Sequence, residues 1–170
     1  MKYFTPELYT RLQDSGTAAM DAADAAWEAA EEQYEQHLQR LAPALAPVLR
    51  VFDDLLLHDA TVSSMSRRGD QLVIVLHTDA RPREVVTLTY TLTGEPILDR
   101  KALPPEVRSG VMQYQYDEFD VIQTDSGTEY SHAILFSNGW EARVPFRHVE
   151  VVRAEPLYLL PAGADRERVA

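Results

Sequence analysis

Two periodicities divide the chain. From Thr17 to Leu41, the residues Met20, Ala23, Trp27, Ala30, Tyr34, His37 and Leu41 recur at spacings of three and four. That pattern draws one narrow stripe along a helix, with Asp21, Asp24, Glu28, Glu31, Glu32 and Glu35 on its other faces. A shorter helix precedes it. Thr5 suits an N-cap, Pro6 the first helical position and Glu7 the positive end of the dipole, while Asp14-Ser15-Gly16 ends the turn. The two predict a helical hairpin. Pro43 and Pro47 punctuate the chain next, and Pro47 opens a predicted third helix carrying Val48, Phe52, Leu55 and Leu56, ending near Leu57 or His58.

Beyond His58 the pattern turns to strands, nearly all apolar at Leu72–Thr78, which reads as central, and alternating with period two at Val85–Thr93. Short β-branched segments separated by turn residues predict strands at Thr61–Met65, Leu72–Thr78, Val85–Thr93, Val111–Ile122, Glu129–Phe136, Trp140–Val144 and His148–Arg153. Ser137-Asn138-Gly139 predicts a type I′ hairpin turn. Gly94–Gly110, interrupted by Pro96, Pro104 and Pro105, reads as a long irregular loop with one helical turn at Pro105–Arg108. The expected fold is α+β in a single domain, 1–170. An N-terminal helical hairpin plus a third helix (1–58) packs on a mainly antiparallel β-sheet meander of about six or seven strands (59–153), followed by a C-terminal tail (154–170).

Composition narrows the function classes. The net charge of −11 argues against nucleic-acid and anionic-membrane partners, both polyanions. The absence of cysteine removes disulfides, thiolate catalysis and cysteine-based zinc sites. MKYFTPELYT lacks the apolar run of a signal peptide, and no segment approaches the ~20 apolar residues that span a bilayer, so a cytoplasmic protein is expected.

The chemistry-bearing candidates cluster in two places. His58-Asp59 stands at the helix-to-strand junction, and Asp117-Glu118-Phe119-Asp120 lies in a predicted strand. There Glu118 and Asp120 share a face with Tyr116, and Asp117 takes the other. His58, Asp59, Glu118 and Asp120 are the candidates for a divalent-metal or small-ligand site with hydrolytic potential, although no metal-ligand spacing such as HExxH is present. Asp59 is equally suited to satisfying backbone N–H groups in a turn. A Ser131, His58 and Asp117 triad has no support in spacing, and no catalytic residue or cofactor is assigned. His58, Asp59, Asp117, Glu118, Arg100 and Lys101 are candidates for contacting a protein partner. Arg67, Arg83 and Arg100 or Lys101 would bind an anion only if they converge. The apolar run Leu157, Tyr158, Leu159 and Leu160, between Pro156 and Pro161, offers a surface for a homodimer.

Met1-Lys2-Tyr3-Phe4-Thr5, then Leu57-His58-Asp59-Ala60 followed by Val62, then Tyr116-Asp117-Glu118, and a hairpin at His132–Phe136 and Gly139–Val144 that carries Glu141, resemble a bacterial domain-of-unknown-function family numbered 4085. The segments are short but occur in the family's order across almost the whole chain, which departs from it in a shorter, alanine-rich helical region. The resemblance implies that Leu57–Asp59 and Tyr116–Glu118 belong to one shared site, and imports no activity. Comparable segments are similar to those of small bacterial proteins suspected of immunity roles. The leading expectation is a non-enzymatic protein-interaction domain. The alternative is a metal- or small-ligand-binding domain.

Overall fold

The structure, a computed structural model, describes residues 1–13, 17–100, 110–125 and 127–156. The predicted stop at Gly16, the turn at Pro105–Arg108, Lys101 and the Leu157–Leu160 run lie outside the described residues. The order is α1 (Pro6–Leu12), α2 (Thr17–Phe52), then β1 (Thr61–Arg68), β2 (Gln71–His77), β3 (Val85–Leu92), β4 (Ile97–Asp99), β5 (Tyr114–Thr124), β6 (Gly127–Phe136) and β7 (Glu141–Ala154). The α+β class and the mainly antiparallel sheet are as expected. The helix count is not.

Thr5 caps α1 as its sequence implies, its Oγ1 accepting the Leu8 N–H at 3.2 Å. Instead of a separate third helix opening at Pro47, α2 runs unbroken for 36 residues through Pro43 and Pro47. Each interior proline removes one backbone hydrogen bond and costs about 3 kcal/mol. Both are exposed, as are Gln39 and Pro43, whose carbonyls lose their partners, so water can solvate them. On the opposite side Leu45 and Val48 are buried in the sheet's core, with Leu38, Leu41, Leu49 and Phe52 packed against it. At about 1.5–3 kcal/mol for each fully buried side chain, this face offsets the prolines and keeps the helix continuous into the core. The stripe farther up α2 meets α1 and the N-terminal segment. Trp27 and Ala30 join Phe4 and Leu8 in a second cluster, with Tyr34 and Tyr116 against it, while Met20 stays exposed.

The strands lie in the order β1-β2-β3-β7-β6-β5, with β4 pairing β7, and every pairing is antiparallel. Two three-stranded meanders are thus joined edge to edge through β3 and β7. The sheet curls until its far edges meet: Asp59 N–H donates to Tyr114 C=O at 2.8 Å, Tyr114 N–H to Ala60 C=O at 2.8 Å and Val62 N–H to Met112 C=O at 2.9 Å. Leu72, Ile74, Leu76, Val86, Leu88, Tyr90, Ile134, Phe136, Val144 and Phe146 fill the interior around the end of α2.

Three further expectations change. The two predicted C-terminal strands are one, β7, with Pro145 inside it, because β7 changes partners near that point: Glu141–Phe146 pair with β6 and Phe146–Ala154 with β3. Part of the predicted loop, Ile97–Asp99, adds a short strand on β7. The β6–β7 hairpin closes through the three-residue loop 137–139, with Gly139 N–H bonded to Phe136 C=O at 2.8 Å and only Gly139 at positive φ (81°), so the turn is not type I′. Among the described residues no helix is long and apolar enough to cross a membrane.

Candidate functional site

The site begins with a β-bulge. Tyr114 pairs with Phe136, Tyr116 with Leu135 and Asp117 with Ile134, which leaves Gln115 as an extra residue in β5. In a regular strand Tyr114 and Tyr116 would share a face. The extra residue turns Tyr114 and Asp117 both inward and leaves Tyr116, Glu118 and Asp120 outward, the parity expected for the last three.

His58 and Asp59 clasp this bulge. His58 Nδ1–H donates to Gln115 C=O at 2.7 Å, which leaves the Nε2 lone pair free of that contact. Asp59 Oδ1 accepts from Gln115 Nε2 at 3.0 Å, and Gln113 Nε2 donates to Asp59 C=O at 3.2 Å. Asp59 adopts φ 63°, a left-handed conformation that aspartate tolerates in turns. Its place is structural: it turns the chain out of the helical part and fastens β1 to β5.

Inside, Asp117 meets His132, a residue of β6 with no exposed surface. His132 Nε2–H donates to Asp117 Oδ2 at 2.9 Å, and its Nδ1 accepts the Tyr90 hydroxyl proton at 2.8 Å. The Tyr114 hydroxyl lies 3.2 Å from Nε2, within reach of the same proton. That tautomer satisfies the imidazole and the Tyr90 phenol. The ring stacks on Phe119 at 4.0 Å and takes the edge of Phe52 at 5.3 Å, so it cannot tilt. Burial first, then the charge of Asp117, pushes the Tyr90 and Tyr114 phenols well above their ordinary value, and both remain donors.

Asp117 is the one member of this network that reaches the surface, its side chain 33% exposed. It opens on a pocket of about 440 Å³ lined by Phe4, Tyr34, Phe52, Leu55–Leu57, His58, Tyr114, Gln115, Tyr116 and Asp117. The aromatic wall is continuous: Phe4 meets Tyr34 edge-on at 5.4 Å and stacks with Tyr116 at 5.7 Å, and Tyr116 takes His58 edge-on at 5.1 Å. Tyr34 is fixed by the Phe119 N–H, which donates to its hydroxyl at 2.7 Å; burial raises its phenol further than that bond lowers it.

The other candidates fall elsewhere. Glu118, 7% exposed, accepts backbone N–H groups of Lys2, Tyr3 and Phe4 at 2.8, 2.7 and 2.7 Å. Asp120 Oδ1 takes its own neighbour's N–H, that of Val121, at 2.8 Å and lies 3.3 Å from His37 Nε2. Both face a cleft of about 320 Å³ that Ser131 also lines, apart from the pocket of His58 and Asp117. Asp59 lines a third, with His77, Asp79 and Glu84. Among the described residues no group of three or more His, Asp or Glu side chains is placed to hold a metal ion. Leu57, His58, Tyr116 and Asp117 therefore line one pocket, whereas Asp59 and Glu118 line others. Glu141 pairs with the amino group of Met1, on the same side as Glu118. The arginines are engaged locally: Arg67 with Glu95, Arg83 with Asp79 at 3.4 Å, and Arg100 over the Trp140 ring at 4.9 Å.

Sequence reasoning missed His132, Tyr34, Tyr90 and Tyr114. His132 carried a usable signal, a histidine alternating with Ile134 on the buried face of a strand, but its partner Tyr90 lies 42 residues away in a non-adjacent strand. No protein-family model and no curated protein matches this chain.

Proposed function

We propose that this protein is a non-enzymatic binding domain, and that the Asp117 pocket is where its small ligand sits. One observation carries the reading: a carboxylate, oriented by a fully buried histidine, opens on an aromatic-lined pocket of about 440 Å³. Ligand sites of this size are mostly apolar, with a few polar groups that fix orientation. Asp117 is such a group here. A structural ion pair would not need a rigid support on the buried side and an opening on the other.

The reading favours the ligand-binding alternative over a metal site, because Glu118 spends its oxygens on the N-terminal backbone and Asp120 spends one on Val121. It favours binding over catalysis, because among the described residues the hydroxyl groups within hydrogen-bond distance of His132 belong to the buried phenols of Tyr90 and Tyr114, whose raised pKa keeps them protonated.

A fragment screen by two-dimensional NMR, with cationic, neutral and anionic members in equal number, tests it. Hits should shift the amides of Phe4, Tyr34, Phe52, Leu57 and Tyr116 together. A screen in which no charge class moves these amides contradicts the reading.

A further inference from the structure

We infer that the pocket selects an organic cation, a primary ammonium group on a short apolar or aromatic body. This rests on the pocket being a ligand site and adds the ligand's chemical class.

Charge is the first ground. Among the described residues lining the pocket, the carboxylate belongs to Asp117, and neither lysine nor arginine is present. An anionic ligand would meet Asp117 with no counter-charge, whereas an ammonium group would gain one. The whole chain's negative charge adds to that preference at longer range.

Hydrogen-bonding capacity is the second ground. A carboxylate can accept about four hydrogen bonds, and Asp117 Oδ2 accepts the His132 Nε2–H. Places remain for a ligand's donors. A primary ammonium brings three donors and no acceptor, matching a wall whose open groups accept. An uncharged alcohol brings one donor and an unpaired acceptor.

The walls are the third. Phe4, Tyr34, Phe52, Tyr114 and Tyr116 line the pocket, and aromatic faces attract a desolvated cation while burying an apolar body. Leu55, Leu56 and Leu57 complete the apolar side, with Leu56 70% exposed at the rim. A free amine of about ten heavy atoms suits this volume.

The test is isothermal titration of the full chain with phenethylamine, 2-phenylethanol and 3-phenylpropionate, repeated on Asp117→Asn. Phenethylamine should bind at least tenfold tighter than the alcohol, the acid should not bind, and Asp117→Asn should abolish the difference. The ligand comparison on the unaltered protein stands even where Asp117→Asn folds poorly. Equal binding of amine and alcohol, or tighter binding of the acid, overturns the cation inference while leaving a ligand pocket. No binding by any of the three, together with a fragment screen that never reaches the pocket, overturns both. A tripeptide bearing a central lysine with blocked ends, binding tighter than phenethylamine, would overturn the free amine as the occupant and assign the pocket to a protein's lysine side chain.

Discussion

His132 donates its Nε2–H to Asp117 across 2.9 Å, from a ring that has no contact with solvent to a carboxylate that does. The pairing sets the direction of the whole site. Tyr90 holds the far nitrogen of the ring, Phe119 and Phe52 hold its faces, and the carboxylate projects from this frame into the pocket.

Replacing His132 should therefore cost much stability. His132→Ala leaves the Tyr90 hydroxyl unpaired in the core and opens a cavity against Phe119, a loss of about 3–5 kcal/mol. Urea unfolding would measure it. A loss below about 1 kcal/mol would mean the network is not built as described.

Alkaline pH gives a second test, and the sign is fixed by which state holds its protons more tightly. Tyr90 and Tyr114 have phenols raised well above 10 in the folded state, with burial the main cause. Below the unfolded value near 10 both states are protonated and the contribution is fully present. Above it the unfolded chain loses protons that the folded chain keeps, so stability falls as pH climbs toward the folded values. Each such phenol contributes a slope of about 1.4 kcal/mol per pH unit. Tyr90→Phe should make the decline between pH 10 and 11.5 shallower by about that amount, measured by urea unfolding at each pH.

Glu118 offers a third. Its carboxylate receives three backbone N–H groups from the N-terminal segment, and Glu118→Gln weakens all three at once. The expected cost is about 2–4 kcal/mol. Hydrogen exchange at Tyr3 and Phe4 should accelerate, and because Phe4 lines the pocket, ligand affinity should fall as well. Unchanged exchange at these amides would contradict the clamp.

Pro43 supplies the fourth. In a continuous α2, Pro43→Ala restores a backbone hydrogen bond on an exposed face. It should raise stability by about 1–2 kcal/mol after the unfolded chain's gain in freedom is subtracted. Thermal unfolding would read it. A destabilised variant would mean the helix breaks at Pro43 after all.

The sheet was legible because its pattern is local: Leu72–Leu76 is an unbroken apolar run, and Val86, Leu88 and Tyr90 alternate with threonines and are all buried. The helical stripe was legible for the same reason. The continuation of α2 through two prolines was not, because it depends on Leu45 and Val48 reaching a core built by distant strands. Of the candidate residues, His58 and Asp117 do meet in one pocket, but the reason is the bulge at Gln115, a register shift that leaves no mark in the hydrophobic pattern. Glu118 and Asp120 looked like the chemical pair because they share a face. Their oxygens prove to be taken up, those of Glu118 by the N-terminal backbone and one of Asp120's by Val121.

The central claim is that Asp117 is a supported anchor for a ligand, and a crystal of the protein soaked with phenethylamine tests it most directly. The expected result is density in the pocket, with the ammonium nitrogen within hydrogen-bond distance of an Asp117 oxygen and the ring against Phe4 or Phe52. An empty pocket at saturating amine, or the amine bound away from Asp117, would contradict the claim.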